Sequence, residues 1–256
     1  MSPAAASDTR RIRIGTGGWT YPPWRGTFFP PGLPHKQELA HASRQLSAIE
    51  ANGTYYRTLG PATFAAWREQ TPDGFVFSLK ASRFATNRKV LATAGEPIRR
   101  FVASGIAELG PKLGPIVWQF MPAKRFDPAD FEAFLALLPA SAGGLPLRHV
   151  LDVRHESFAC AEYLALARRY GCATVHTDAP QFPAIADAAG DLAYIRLMRS
   201  AAACPTGYPA AEIAAWAQGA RAWVAGGPRR EVFLYFINGA KERAPAAALE
   251  LMRAVR

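Results

Sequence analysis

A chain of 256 residues, half of them hydrophobic and a fifth charged, has the make-up of an ordered globular protein near the usual size of an α/β barrel, and this excludes collagen-like, low-complexity and disordered classes. A formal charge of +10 favours anionic partners such as nucleic acid, phosphorylated ligands or a membrane surface, and is equally the product of an arginine-rich composition with no function attached. Met1 to Arg11 is small and polar, and no uncharged apolar run reaches the roughly 18 residues of a membrane span, so the expectation is a cytoplasmic protein with no membrane attachment and no obligate protein partner.

The predicted elements alternate in type along the chain. A flexible segment over 1–11 leads into a first β-rich run at 11–15, and Leu39, Ala42, Leu46 and Ile49 share a helical face before a second run at 47–52. Further runs follow at 75–80 and 116–120. Asp127 then reads as a helix N-cap with Pro128 in the first turn, and Phe131, Phe134, Leu135 and Leu138 form an apolar stripe before the fifth run at 150–154. Gly171 stops the next helix ahead of the sixth run at 173–178. Two prolines in the interval 179–190 leave room only for a short or broken helix before the runs at 192–198 and 231–238. Eight strands with intervening helices predict a single (β/α)₈ barrel over 12–256 with an irregular sixth helical unit.

Side chains alternate faces along a strand, so residues two apart point the same way. In the third run Phe75, Phe77 and Leu79 belong against the helices, which turns Lys80 into the barrel. The same division places Glu50 with Asn52, and Asp152 with Arg154. Thr174, His176 and Asp178 share a face of the sixth run, Tyr194, Arg196 and Met198 a face of the seventh, and Asn238 the face of Leu234 and Phe236, while Gln119 ends the fourth. Polar side chains late on one face are what a site at the C-terminal strand ends would produce. Glu50, Asp152 and Asp178 against Lys80, Arg154 and Arg196 balance three to three, so a structural ion-pair network explains the same pattern, and a satisfied core histidine is as good an account of His176 as a catalytic one.

The loops after the strands are rich in Arg25, Arg57, Arg83, Arg88, Lys89, Lys124, Arg125, Arg199, Lys241 and Arg243, which predicts a positive rim around the mouth. Trp19, Tyr21, Trp24, Tyr55 and Tyr56 are available there to stack on a sugar or base. The Gly15, Gly17 and Gly18 cluster allows close backbone approach but has neither P-loop nor dinucleotide-fingerprint spacing. Asp152, His155, His176 and Asp178 are the donors available to a divalent metal, without a close metal-motif spacing. Cys160, Cys172 and Cys204 are odd in number and unpaired in spacing, so they read as structural thiols.

The segments GTGGWTYPPW from Gly15, IEANGTYYR from Ile49, TPDGFVFSLKASR from Thr71 and LGPKLGPIVWQFMP from Leu109, with LDVRHESF from Leu151, LAYIRLMRS from Leu192 and YFINGAKERAP from Tyr235, together resemble the YecE-like family. That bacterial group has long been labelled a domain of unknown function. The resemblance implies a (β/α)₈ barrel with no settled reaction, and recurring polar positions at Glu50, Asn52, Tyr56, Arg57, Lys80, Gln119, Arg154, His155, Arg196 and Asn238. Three departures stand out: Asn87 where a histidine is common, Asp152 where glutamate is usual, and Met198-Arg199 in place of a His-Gly pair.

The leading expectation is an enzyme acting on a phosphorylated or sugar-like small molecule. Glu50, Lys80, Asp152 and His176 are then the acid/base candidates, and Trp19, Asn52, Tyr56, Arg57, Gln119, Arg154, His155, Asp178, Arg196 and Asn238 line the pocket. The alternatives are a nucleic-acid-binding or metal-dependent phosphodiester-cleaving protein, and a non-catalytic binding barrel.

Overall fold

The computed structural model describes residues 10–187 and 189–256. Eight parallel strands, β1 (Ile12–Gly17), β2 (Ala48–Ala51), β3 (Val76–Lys80), β4 (Leu113–Gln119), β5 (His149–Asp152), β6 (Ala173–Thr177), β7 (Leu192–Leu197) and β8 (Glu231–Phe236), pair in sequence order. The circle closes where β1 pairs with β8, Ile12 opposite Val232, and with β2, Gly15 opposite Ala48. The largest difference from the strand pattern read in the sequence is at β4, expected over 116–120, which the barrel pairs from Leu113 onward.

Seven helices of eight or more residues lie in the connections: α1 (Glu38–Gln45), α2 (Pro61–Gln70), α3 (Gly95–Val102), α4 (Pro128–Ala136), α5 (Ala161–Arg169), α6 (Ala210–Ala225) and α7 (Ala244–Ala254). Asp127 caps α4 by accepting from the Ala129 and Asp130 amides at 3.1 and 3.2 Å, and Gly171 ends the α5 region with a φ of +64°. Between β6 and β7 the described residues carry no helix, the irregular unit expected from Pro180 and Pro183. Phe182 in that connection packs instead on the apolar interior of the barrel.

Two apolar layers result. The outer one is aromatic: Phe77 stacks on Trp67 of α2, while Trp118 meets Phe101 of α3 and Phe134 of α4 edge-on. The inner one fills the lower barrel with Ala48, Val76, Val117, Val150, Val175 and Phe233, and Ile237 joins it from just past the end of β8. Of the predicted flexible segment, residues 1–9 lie outside the described residues. Arg11 is anchored at the end of α6, donating to the carbonyls of Val224 in its last turn and of Gly227 just beyond it at 2.9 and 2.6 Å. All three cysteines are free, and among the described residues no helix is long and apolar enough to cross a membrane.

Candidate functional site

Above the apolar plug, the strands present a connected polar layer. Arg196, on the inward face of β7, is almost completely buried and spans the barrel. Its Nη2 donates to Glu50 Oε1 on β2 at 2.9 Å, and its Nη1 to Asp152 Oδ2 on β5 at 2.5 Å and to Gln119 Oε1 on β4 at 3.1 Å. Arg154 reaches back from just past β5 to the same acceptors, at 2.9 Å to Asp152 Oδ2 and 2.9 Å to Gln119 Oε1. Tyr194, one inward position below Arg196, donates to Glu50 Oε2 at 2.8 Å. Burial opposes the charge of Arg196, but Glu50 and Asp152 outweigh it and hold the guanidinium above its ordinary value. Below, Ser78 and Tyr235 share a hydrogen bond of 2.8 Å.

Lys80 completes the layer from the last position of β3. It is buried, and among the described residues it has no carboxylate within ion-pair range; its Nζ instead lies 3.9 Å over the ring of Tyr55. Burial, followed by repulsion from Arg196 and Arg154, outweighs attraction to Glu50 and Asp152 and pushes the amine down to about 8. Thr54 ties the strand end in place, its hydroxyl donating to the Lys80 carbonyl at 2.7 Å.

Several residues expected around the pocket lie elsewhere. His176 and Thr174 are on the outer face of β6, His176 beside Trp216 and Thr174 bonded to Tyr163 at 2.9 Å, while Val175 faces inward. Polar side chains face outward on β6 because the helices there offer them partners, Tyr163 of α5 to Thr174 and Trp216 of α6 to His176. Asp178 is likewise outside the layer: it accepts from the Met198 amide at 2.6 Å and from the Tyr208 hydroxyl at 2.7 Å, joining the ends of β6 and β7. Trp19 packs edge-on against Trp67 at 5.0 Å in the outer aromatic layer. On β8 the inward face is Phe233, Tyr235 and Ile237, not the Leu234 and Phe236 face that carries Asn238, and Asn238 is exposed past the strand end.

The remaining candidates sit at the mouth in differing ways. Asn52 is half-buried at the end of β2, and Tyr56 and Arg57 are exposed on the following turn. His155 Nδ1 accepts from the Ser157 amide at 3.1 Å, so it caps the turn Glu156–Phe158 and a neutral ring carries its proton on Nε2. Arg199 pairs with Glu212 at 3.1 Å, which occupies the guanidinium that replaces the glycine of the family pattern. Asp152, His155, His176 and Asp178 are thus dispersed, and among the described residues no group of three or more His, Cys, Asp or Glu is arranged to hold a metal ion. Phe182 was not anticipated from sequence: Arg154 lies 4.6 Å from its ring centroid, so the irregular connection supplies one wall of the mouth.

The comparisons with known proteins agree with this architecture. The family described as "Protein of unknown function DUF72" matches residues 13–256. The UPF0759 protein YecE of Escherichia coli (strain K12) is 28% identical over 147 residues, 57% of this chain and 50% of that protein, and the protein of the same name from Escherichia coli O157:H7 matches to the same extent. The match therefore spans about half the length of these relatives. A DUF72 family protein of Thermotoga maritima superposes with a TM-score of 0.71 at 20% identity, covering 95% of this chain and 97% of that one. One from Enterococcus faecalis V583 gives 0.71 at 18% identity, covering 95% of each.

Proposed function

This chain belongs to the DUF72 family of proteins of unknown function, and from that premise we propose that its barrel mouth binds and transforms a small sugar-like molecule carrying one anionic group, phosphate or carboxylate. The observation that carries this reading is a charge count. With Asp178 engaged elsewhere, Glu50 and Asp152 face Lys80, Arg154 and Arg196, and the layer holds one cation more than it can neutralise. Buried charge without a partner is costly, so a sequence that keeps Lys80 here supports a ligand that supplies the missing negative charge. In this reading Arg154 and Arg196 orient the anion, Lys80 and Asp152 move protons, and Glu50 holds Arg196 in place.

The test is isothermal calorimetry with a sugar phosphate, a sugar acid and the matched neutral sugar. The anionic ligands are expected to bind and the neutral one not to, with binding abolished in Lys80→Met. Equal response to the neutral sugar would remove the proposal.

Lys80→Met also has an expected effect on stability. The amine is held below its unfolded value of 10.5 at about 8, so below pH 8 the folded state bears the full penalty, and stability recovers as pH rises from about 8 towards 10.5. The penalty corresponds to at most ~3 kcal/mol at neutral pH, less the lost contact with Tyr55. Lys80→Met is therefore expected to be more stable than the parent by ~1–3 kcal/mol at pH 7 in urea unfolding, with a flatter dependence between pH 8 and 10.5. A loss of stability on substitution would mean that the lysine is structural.

A second reading has its own observation. Tyr56 and Phe84 are each 60% exposed, and the Arg83 guanidinium lies 5.8 and 5.5 Å from their ring centroids, an arrangement suited to stacking on unpaired bases. Single-strand binding by this edge is expected to weaken steeply with salt and to lose ~1–3 kcal/mol for each ring removed in Tyr56→Ala and Phe84→Ala. No binding of a labelled oligonucleotide at about 50 mM salt would dispose of it.

A further inference from the structure

We propose that the Lys80 amine forms an imine with the carbonyl carbon of an anionic aldehyde or ketone held at the barrel mouth. The inference rests on the anion-binding reading above and names the reactive group of the ligand. An amine that only balanced charge would sit against Glu50 or Asp152, yet both carboxylates are occupied by guanidinium groups and by Tyr194, and none lies within ion-pair range of Nζ. Lys80 sits at the C-terminal end of β3, where its strand is fixed by Thr54 and its amine rests on the Tyr55 face. The polar atoms sealed in this layer without a partner include Arg196 Nε but not Lys80 Nζ, so the amine, though buried, is not sealed from solvent. Burial, and then Arg196 and Arg154, favour its neutral, nucleophilic form against the attraction of Glu50 and Asp152.

The chemistry balances within this set. The nitrogen lone pair attacks the carbonyl carbon, and a C–N bond forms as the π pair moves to oxygen; one nitrogen proton passes to that oxygen, a second proton is added to the resulting hydroxyl, and the C–O bond breaks to release water as the nitrogen lone pair closes the C=N bond. One amine, one carbonyl and one proton give one iminium and one water. Among the described residues the hydrogen bonds to the Asp152 carboxylate fall on Oδ2, so Oδ1 is the oxygen available to shuttle the protons. The iminium places positive charge where the ammonium would otherwise be, over the Tyr55 ring.

The full-length protein is treated with glyoxylate, and separately with glyceraldehyde 3-phosphate, in the presence of borohydride, and the adducts are mapped by peptide mass spectrometry. Lys80 is expected to be trapped about tenfold faster than the exposed Lys36 and Lys89, with a rate that levels off near pH 8, and Lys80→Arg is expected to lose that adduct alone. Inorganic phosphate binding is measured in parallel. Phosphate binding with adducts only on exposed lysines would overturn the imine and leave the anion site standing. Neither adduct nor phosphate binding would overturn both.

Discussion

Replacing Arg196 with methionine is expected to destabilise the protein by ~3–5 kcal/mol, among the largest effects of any single side chain in the barrel. The guanidinium is almost wholly buried and is the bridge that joins Glu50, Asp152 and Gln119. Its removal leaves Glu50 with only the Tyr194 hydroxyl and Asp152 with only Arg154, two carboxylates facing each other in a poorly solvated interior. The cost should fall when the carboxylates are neutralised as well. The triple variant Arg196→Met, Glu50→Gln, Asp152→Asn is expected to recover at least half of the loss in urea unfolding, because a buried charge network is costly to break and much less costly to replace entire. If Arg196→Met alone is within ~1 kcal/mol of the parent, solvent reaches the layer far more freely than its burial indicates, and the ion pairs are of surface type.

Gly15→Ala is expected to prevent the barrel from closing. A methyl group built at Gly15 falls 1.7 Å from the Ala48 carbonyl oxygen and 2.7 Å from its carbon, both backbone atoms of the adjacent strand. Since Gly15 is paired with Ala48 in the β1–β2 register, no rotamer change relieves the contact, and relief requires parting the two strands. The expected outcome is insoluble protein, or a folded fraction destabilised by more than about 4 kcal/mol in denaturant titration. Gly60→Ala is the control, since nothing lies within 4 Å of the added methyl there, and its effect is expected to stay within about 1 kcal/mol. Normal stability of Gly15→Ala would show that β1 and β2 are more widely separated than described. The role of Gly15 is thus close strand packing.

The strands were legible because their composition and period are unambiguous. Phe77 and Leu79 against Ser78 and Lys80 admit one orientation, with the large apolar residues under α2 and the polar ones inside, and Glu50 and Arg196 follow the same logic. Where both faces of a strand are apolar, the period carries no orientation. In β8, Phe233, Tyr235 and Ile237 are as hydrophobic as Leu234 and Phe236, so the period admits either set as inward, and the structure turns Leu234 and Phe236 outward with Asn238 exposed past the strand end. On β6 the reason differs, since Thr174 and His176 are polar yet outward, where Tyr163 of α5 and Trp216 of α6 receive them.

The sequence by itself determined the eight-stranded alternation, the irregular sixth unit and the candidates Glu50, Lys80, Gln119, Asp152, Arg154 and Arg196, because hydrophobic period and turn chemistry act over a few residues at a time. Which carboxylate meets which guanidinium was decided only by closure of the barrel, which brings Arg196 to Glu50 from 146 positions away along the chain. Closure and the paths of the connections also sent Asp178 to Tyr208, packed Trp19 on Trp67 and left Lys80 without a carboxylate partner. Charge in a low-dielectric interior depends on distances of a few ångströms between residues remote in sequence, and those distances exist only once the strands have joined.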